Sequence, residues 1–341
     1  NKIVLVTGAG GSIGSQISLQ LLENDAKKLI FIDNSELNLY NLTKLVETKI
    51  KKIDQNFISF SLVNIQDKDK LDNIFSKFKP DLVFHAAAYK HVNLLEFNEL
   101  EALGVNIFGT LNLLELCIKY QTKHLTLIST DKAVNPTNIM GKTKRFCEVM
   151  LQSYYKEFAN NNIKMSIVRF GNVINSNGSV LPLFKKQILY RGPVTVTHPE
   201  VSRYFMTINE AVGLVLQTCV ISKGGEVFVL NMGESIKILD IAKKMIKFSG
   251  YNYHLENEET LDKKRNSIPI KFVGLRKGEK LNEEIFYGNR QEKTNHDSIM
   301  QNIEKVRQFS EVNSYINELK QYYKDNDIDL IRDFFKKNIA E

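Results

Sequence analysis

Through the first 170 residues, short apolar runs alternate with longer segments whose apolar positions recur at helical spacing. Lys2–Val6, Lys28–Asp33, Phe57–Val63, Asp81–His85, His124–Ser129 and Lys164–Phe170 are rich in Ile, Val, Leu and Phe and predict strands. Amphipathic segments near 12–24, 36–51, 67–78, 99–121 and 140–160 predict the helices between them. Strands that are apolar almost throughout, alternating with helices, imply a parallel sheet covered on both faces. The expected fold class is therefore α/β: a Rossmann-type doubly wound parallel sheet with a smaller C-terminal α/β substrate-binding subdomain. Beyond residue 175 the pattern loosens, with short strands expected at Pro193–Thr197, Glu226–Leu230 and Ile268–Val273 and helices at 209–222 and 235–249. The tail from about residue 298 reads as helical and charged. The expected division is 1–175, 176–290 and a helical tail over 291–341, with later segments returning to the first part.

Composition narrows the class. At 341 residues the chain exceeds the ~150 of a typical domain, and 43% hydrophobic residues exclude a wholly disordered protein. No run approaches the ~20 consecutive apolar residues of a membrane-spanning helix. The net charge of +7 is modest. Its densest basic runs, Lys49-Ile50-Lys51-Lys52 and Lys263-Lys264-Arg265, lack interleaved aromatics, so solvated surface is expected and no nucleic-acid partner. Cys117, Cys147 and Cys219 show no CxxC spacing and none of the six histidines forms HxxxH, so neither a disulfide scaffold nor a metal site is expected. The chain opens at Asn1, straight into a strand run, which reads as a fragment of a longer protein.

The first turn carries chemistry. Thr7-Gly8-Ala9-Gly10-Gly11-Ser12-Ile13-Gly14 is a TGxxGxxG loop between a strand and a helix, the setting in which a dinucleotide pyrophosphate sits on a helix N-terminus. Asp33 ends the second strand and can accept both hydroxyls of an adenosine ribose. Asn34 follows it rather than Arg, which favours NAD over NADP. The alternative for Asp33 is a helix N-cap, with Glu36 completing a capping box.

Ser129-Thr130-Asp131-Lys132 follows the fifth strand, and Met140-Gly141-Lys142-Thr143-Lys144 comes shortly after. Ligands bind at the carboxyl ends of strands in such sheets, so these polar residues are site candidates. With the glycine loop, Asp33, His85-Ala86-Ala87-Ala88, Asn106 in an NxxGT pattern, and Lys144, the chain resembles the extended, nucleotide-sugar-modifying branch of the short-chain dehydrogenase/reductase superfamily. Its closer resemblance is to bacterial UDP-N-acetylglucosamine 4,6-dehydratases. That resemblance rests on His85–Val92, Ser129–Asn138, Arg169–Val173, Arg203–Ile208 and Gly274–Lys280, and spans residues 2 to about 290. The superfamily's Tyr-x-x-x-Lys motif is broken, because Met140 holds the Tyr position. The resemblance implies the membrane-anchored, C5-configuration-retaining subgroup, which also carries Met there. Lys277 stands where the family usually has Pro.

The implied activity is that of a lyase, a hydro-lyase of surface-polysaccharide and protein-glycosylation pathways that uses tightly bound NAD+, regenerated at each turnover. Cofactor contacts are expected from Thr7, Gly8, Gly11, Ser12, Ile13, Gly14, Asp33 and Asn34, from Asn64 and Ile65, from Ala86, Ala87 and Ala88, and from Asn106 and Lys144. Lys132 is the expected base at C5 and Asp131 the acid for the C6 hydroxyl, which calls for a lowered lysine and a raised aspartate pKa. Thr130 is expected to bond the C4 oxygen, and Lys144 to hold the nicotinamide ribose. Without the surrounding block, Asp131-Lys132 would read as a surface pair capping the next helix. Lys90, His91, Asn172, Val180, Leu181, Thr195, Arg203, Arg276 and Glu279 are expected around UDP-N-acetylglucosamine, with the arginines on its phosphates. His85 reads as structural and His198 as a turn residue. Alternatives are a C5-inverting dehydratase, a UDP-sugar 4-epimerase and a non-catalytic NAD-binding sensor. A homodimer is expected through helices 99–121 and 140–160. The fragment is expected in the cytoplasm, its parent anchored in the bacterial inner membrane.

Overall fold

The structure is a computed structural model that describes residues 1–50, 53–158, 160, 162–256, 266–288 and 290–339. The basic run Lys263–Arg265, with Lys51 and Lys52 of the other run, lies outside the described residues. Six strands and five helices alternate first: β1 (Ile3–Thr7), α1 (Ser12–Leu21), β2 (Lys28–Asp33), α2 (Glu36–Lys49), β3 (Ile58–Leu62), α3 (Lys68–Phe78), β4 (Leu82–His85), α4 (Glu99–Lys119), β5 (His124–Ile128), α5 (Ile139–Phe158) and β6 (Lys164–Arg169). They follow the hydrophobic pattern to within a few residues at each end. Helix α6 (Val180–Leu189), β7 (Val194–Val196), α7 (Ile208–Ile221), β8 (Val227–Leu230), α8 (Ile238–Phe248), β9 (Asn252–Leu255) and β10 (Ser267–Phe272) come next. The chain ends in β11 (Gln291–Lys293), β12 (Ile299–Asn302), α9 (Phe309–Asp325) and α10 (Ile328–Asn338).

Among the described residues, nine strands form one sheet in the order β11-β12-β8-β6-β5-β4-β1-β2-β3. The seven from β8 to β3 run parallel, and β12 and β11 close the edge antiparallel. The 3-2-1-4-5-6 part is the doubly wound Rossmann order, whose crevice lies beyond the carboxyl ends of β1 and β4. Strand alternation divides the core. Leu5, Ile30, Val83 and Leu127 face α3, α4, α5, α9 and α10, whereas Val6, Phe31, Phe84 and Val168 face α1, α2 and α7. A separate cluster joins α6 and α8 to β7 and β10, the latter pairing with β7 on one side and β9 on the other.

Two expectations need correction. The tail is not helical from residue 291: β11 and β12 precede its helices. Ile299 and Asn302 are almost fully buried on β8, in runs too short for local periodicity to reveal. The faces of α4 and α5 expected to pair between protomers are covered within the chain. Phe309 packs on Tyr154 and Phe158, Phe334 on Phe146, and Tyr323 on Phe108. Helix α4 is long and apolar enough to cross a membrane by length and composition, but it is mostly buried inside this core.

Candidate active site

Three turns at the carboxyl ends of β1, β2 and β4 meet backbone to backbone. Gly8 has φ +62°, and a Cβ there would lie 2.6 Å from the backbone of Ala87. At Gly14 a Cβ would come within 2.0 Å of the Gly8 carbonyl, so only glycine lets α1 start this close. Asp33 is buried. Its Oδ2 accepts from Gly10 N and its Oδ1 from Ser35 N, both at 2.9 Å. The N-cap of α2 is Ser35, whose Oγ accepts from Asn38 N at 3.3 Å, so the capping alternative for Asp33 falls. Its remaining lone pairs stay available beside the loop, and exposed Asn34 follows it. Glycine loop, helix N-terminus and carboxylate together fit a dinucleotide.

The neighbouring turns are held from below. Within α4, Leu103–Phe108 takes a π-helical turn that swings Asn106 toward the turn after β4. Asn106 accepts from Tyr89 N at 2.8 Å and donates to Tyr89 O at 3.1 Å. His85 bridges Thr7 and Thr110, at 2.7 and 2.9 Å. Burial, helped by the Lys144 charge, drops its pKa to about 3, so the ring is neutral. Asn64 accepts from Gln66 N at 3.0 Å in the turn after β3, and Ile65 is buried against Gly109. Ser12 accepts from Asn177 N at 3.0 Å, tying the glycine loop to the segment before α6.

Beyond the carboxyl end of β5, a single 3-10 turn over Asp131–Ala133 replaces regular strand and brings adjacent side chains together. Thr130 Oγ1 donates to Asp131 Oδ1 at 2.8 Å, and Lys132 Nζ donates to the same oxygen at 3.0 Å. Lys132 Nζ also reaches Asn172 Oδ1 at 3.3 Å and lies 3.7 Å from Glu283 Oε1. Asp131 Oδ2 is buried with no partner among the described residues. Thr130 and Lys132 line a cleft of about 450 Å³, together with Ile13, Ala86, Ala88, Met140 and Lys144, while Asp131 lies behind Thr130. Lys144 Nζ donates to the Ile128 carbonyl at 2.6 Å, and burial lowers its pKa. Lys132 departs from expectation. Burial pushes its pKa down, but Asp131 and Glu283 outweigh burial and hold it above the ordinary lysine value.

The other wall comes from the smaller part of the chain. Val180 and Leu183 line it, whereas Leu181 sits about 100° round the helix and does not. Thr195 lines it while bonded to Gln187 at 2.8 Å. Arg276 is exposed on the wall, and Asn172, Lys90 and His91 complete it. Partial burial and the Lys132 charge lower the Lys90 pKa; burial and Lys90 do the same to His91. Arg203 and Glu279, expected around the substrate, line the cleft as well and are braced there by bonds to protein. Arg203 donates to Leu281 O at 3.0 Å and Lys280 O at 2.9 Å, and reaches Glu279 at 3.3 Å. Glu279 also accepts from Thr197 at 2.9 Å and from Arg276 N at 3.1 Å.

Three features escaped sequence reasoning. Glu283, four residues after Glu279 in an irregular segment, is buried on the cleft wall. Gly10 lets α2 approach, since a Cβ there would lie 2.5 Å from Asn38. Beneath Ser129, Glu148 accepts from Ser129 Oγ at 2.7 Å and from Arg169 at 2.7 and 2.6 Å. The i,i+3 pair of opposite charges Arg145 and Glu148, in an otherwise apolar stretch of α5, was the available signal.

A family profile described as "Polysaccharide biosynthesis protein" matches residues 4–304. The capsular polysaccharide biosynthesis protein CapD of Staphylococcus aureus is 46% identical over 291 residues, which cover 85% of this chain and 46% of CapD. The chain thus spans about half the length of that relative. A UDP-N-acetylglucosamine 4,6-dehydratase (inverting) of Campylobacter jejuni is 30% identical over 284 residues, covering 83% of this chain and 76% of that protein. Among solved structures, Pen from Bacillus thuringiensis superposes with a TM-score of 0.77 at 31% identity, covering 90% of this chain and 89% of Pen.

Proposed function

Since the chain belongs to the polysaccharide biosynthesis protein family, we propose that it is an NAD-dependent 4,6-dehydratase of UDP-N-acetylglucosamine that retains the C5 configuration. The observation that carries this reading is the Thr130–Asp131–Lys132 cluster at the cleft, beside turns that fit a dinucleotide. Bound at those turns, NAD+ would accept the hydride from C4 and, in its reduced form, give it back at C6. Asp33 would hold the adenosine ribose hydroxyls, the α1 N-terminus the pyrophosphate, and Lys144 the nicotinamide ribose with protons not given to Ile128.

The chain's own work is moving protons. Thr130 Oγ1 bonds the C4 hydroxyl, takes its proton, and passes its own to Asp131 Oδ1, 2.8 Å away. This relay replaces the tyrosine that Met140 displaces, and it charges Asp131 with the proton an acid needs. Lys132, after losing a proton to water in the cleft, abstracts the C5 proton once C4 is a ketone. The C–H electron pair forms the C5–C6 double bond as the C6–O bond breaks. The departing hydroxide takes the Thr130 proton to leave as water, and Asp131, set behind Thr130, gives its own proton back to Thr130 Oγ1. Once C6 has its hydride back, Lys132 returns a proton to C5 on the face from which it took one, which retains configuration. Arg276 meets the diphosphate, with Lys90 and His91 flanking the sugar.

The name of the Campylobacter jejuni relative favours a second reading, in which the proton returns to the opposite face of C5. A membrane anchor belongs to this proposal only through sequence outside the chain. The direct test is mass spectrometry of the nucleotide sugar after incubation with the protein and NAD+. Loss of one water supports dehydration. An unchanged mass with UDP-N-acetylgalactosamine formed favours epimerisation, and wholly unchanged substrate favours the sensor.

A further inference from the structure

The cleft holds one buried carboxylate to which the mechanism gives no part. We propose that Glu283 is a positioning residue for the C5 base, holding Lys132 and Arg203 together at the cleft wall so that the lysine nitrogen stays aimed at the sugar. This rests on the reading of Lys132 as that base.

The geometry is specific. Glu283 Oε1 lies 3.7 Å from Lys132 Nζ and 3.8 Å from Arg203 Nε, so one oxygen stands between two cations from different segments. Lys132 comes from the turn after β5, and Arg203 from a two-residue strand, Ser202–Arg203, paired with Ile236–Lys237. Without a carboxylate between them, these cations repel across a buried wall. An ammonium has three protons. Asp131 Oδ1 and Asn172 Oδ1 accept two, and Glu283, at 3.7 Å, holds the nitrogen by charge without a hydrogen bond, which leaves it little freedom to swing.

The arrangement also governs when Lys132 can be a base. Four charged groups act on it: Asp131 and Glu283 favour its cation, whereas Arg203 and Lys90 oppose it. When the C4 proton reaches Asp131, that carboxylate is neutralised, and Glu283 is the one anion left on the lysine. Burial, the largest influence on the lysine, then pulls its proton affinity down, and of the two carboxylates Glu283 is the one still charged to hold it up. In the free protein, with both carboxylates charged, the two together outweigh burial.

The test follows the Lys132 Cε resonance across pH in the substrate-free protein, assigned by its absence in Lys132→Arg. In Glu283→Gln the midpoint is expected to fall by about 1–3 pH units, the usual effect of one opposite charge at this range. Glu283→Asp should lie between the two. The ascending limb of deuterium uptake at C5 of the sugar should move the same way. An unmoved midpoint in Glu283→Gln overturns the proposal even if turnover drops, because a purely structural role would not shift it. If Glu283→Gln does not fold, Glu283→Asp decides, and a wild-type midpoint there overturns the proposal. Full C5 exchange by Lys132→Arg would instead overturn the reading of Lys132 as base, leaving the titration result on Glu283 intact.

Discussion

Replacing Glu148 with leucine removes one corner of a buried network of two arginines and two glutamates. Glu148 is fully buried and accepts from Ser129, from Arg169 through two donors, and from Arg145 at 3.1 Å. Glu304 accepts from Arg169 at 2.7 Å and bonds Arg145 as well. Deleting Glu148 leaves one net positive charge among buried groups, with Arg169 Nε stripped of its partner. Breaking a buried pair in this way costs about 3–5 kcal/mol. The companion double variant, Glu148→Leu with Arg169→Leu, removes the imbalance and leaves Arg145 paired to Glu304. Its cost should fall well below the sum of the two single costs, a coupling of about 2 kcal/mol or more. Urea unfolding followed by circular dichroism on the four proteins of the cycle measures this. Additive costs, or a single-variant loss below about 1 kcal/mol, would refute the reasoning. The sign with pH follows from the same contacts. Burial raises the Glu148 pKa, but Arg169 and Arg145 outweigh it and hold it below the ordinary 4.5. Its contribution should therefore be complete above that value and fade as pH falls through the lower folded one.

Two further expectations test other parts of the account. Thr130→Val keeps the size of the side chain but removes the hydroxyl that donates to Asp131, so turnover should drop about 10²–10⁴-fold while NAD affinity, read by calorimetry, stays within a factor of about two; full turnover would remove the relay. Phe334→Ala empties a site among Phe146, Tyr315 and Phe335, should cost about 3–5 kcal/mol in urea unfolding, and should expose the α4–α5 face enough to give concentration-dependent association in light scattering. A cost under 1 kcal/mol would mean that α10 does not seal that face.

The sheet was legible because each of its first six strands is a predominantly apolar run between segments of helical period. The glycine loop and Asp33 were legible for a similar reason: their roles depend on spacing along one βα unit. What hid from the sequence depends on contacts between distant segments. Glu283 meets Lys132 across 151 positions, on an irregular segment where no period marks the inward face. The docking of α9 and α10 onto α4 and α5 was missed because an apolar helix face does not say whether its cover comes from the same chain or another. Leu181 was misplaced by one position, which on a helix means a turn of about 100° away from the cleft. The lysine pKa was expected to fall because burial was weighed without the second carboxylate.

Asp131 and Lys132 matter most to the account, and deuterium reports on them directly. UDP-N-acetylglucosamine is incubated with the protein and NAD+ in D2O, and the product sugar is read by proton NMR. The expected product is a 4-keto-6-deoxy sugar with deuterium at C5 and couplings of the retained configuration. Deuterium at C5 with inverted couplings, or no 4-keto-6-deoxy product at all, would contradict the same-face lysine mechanism.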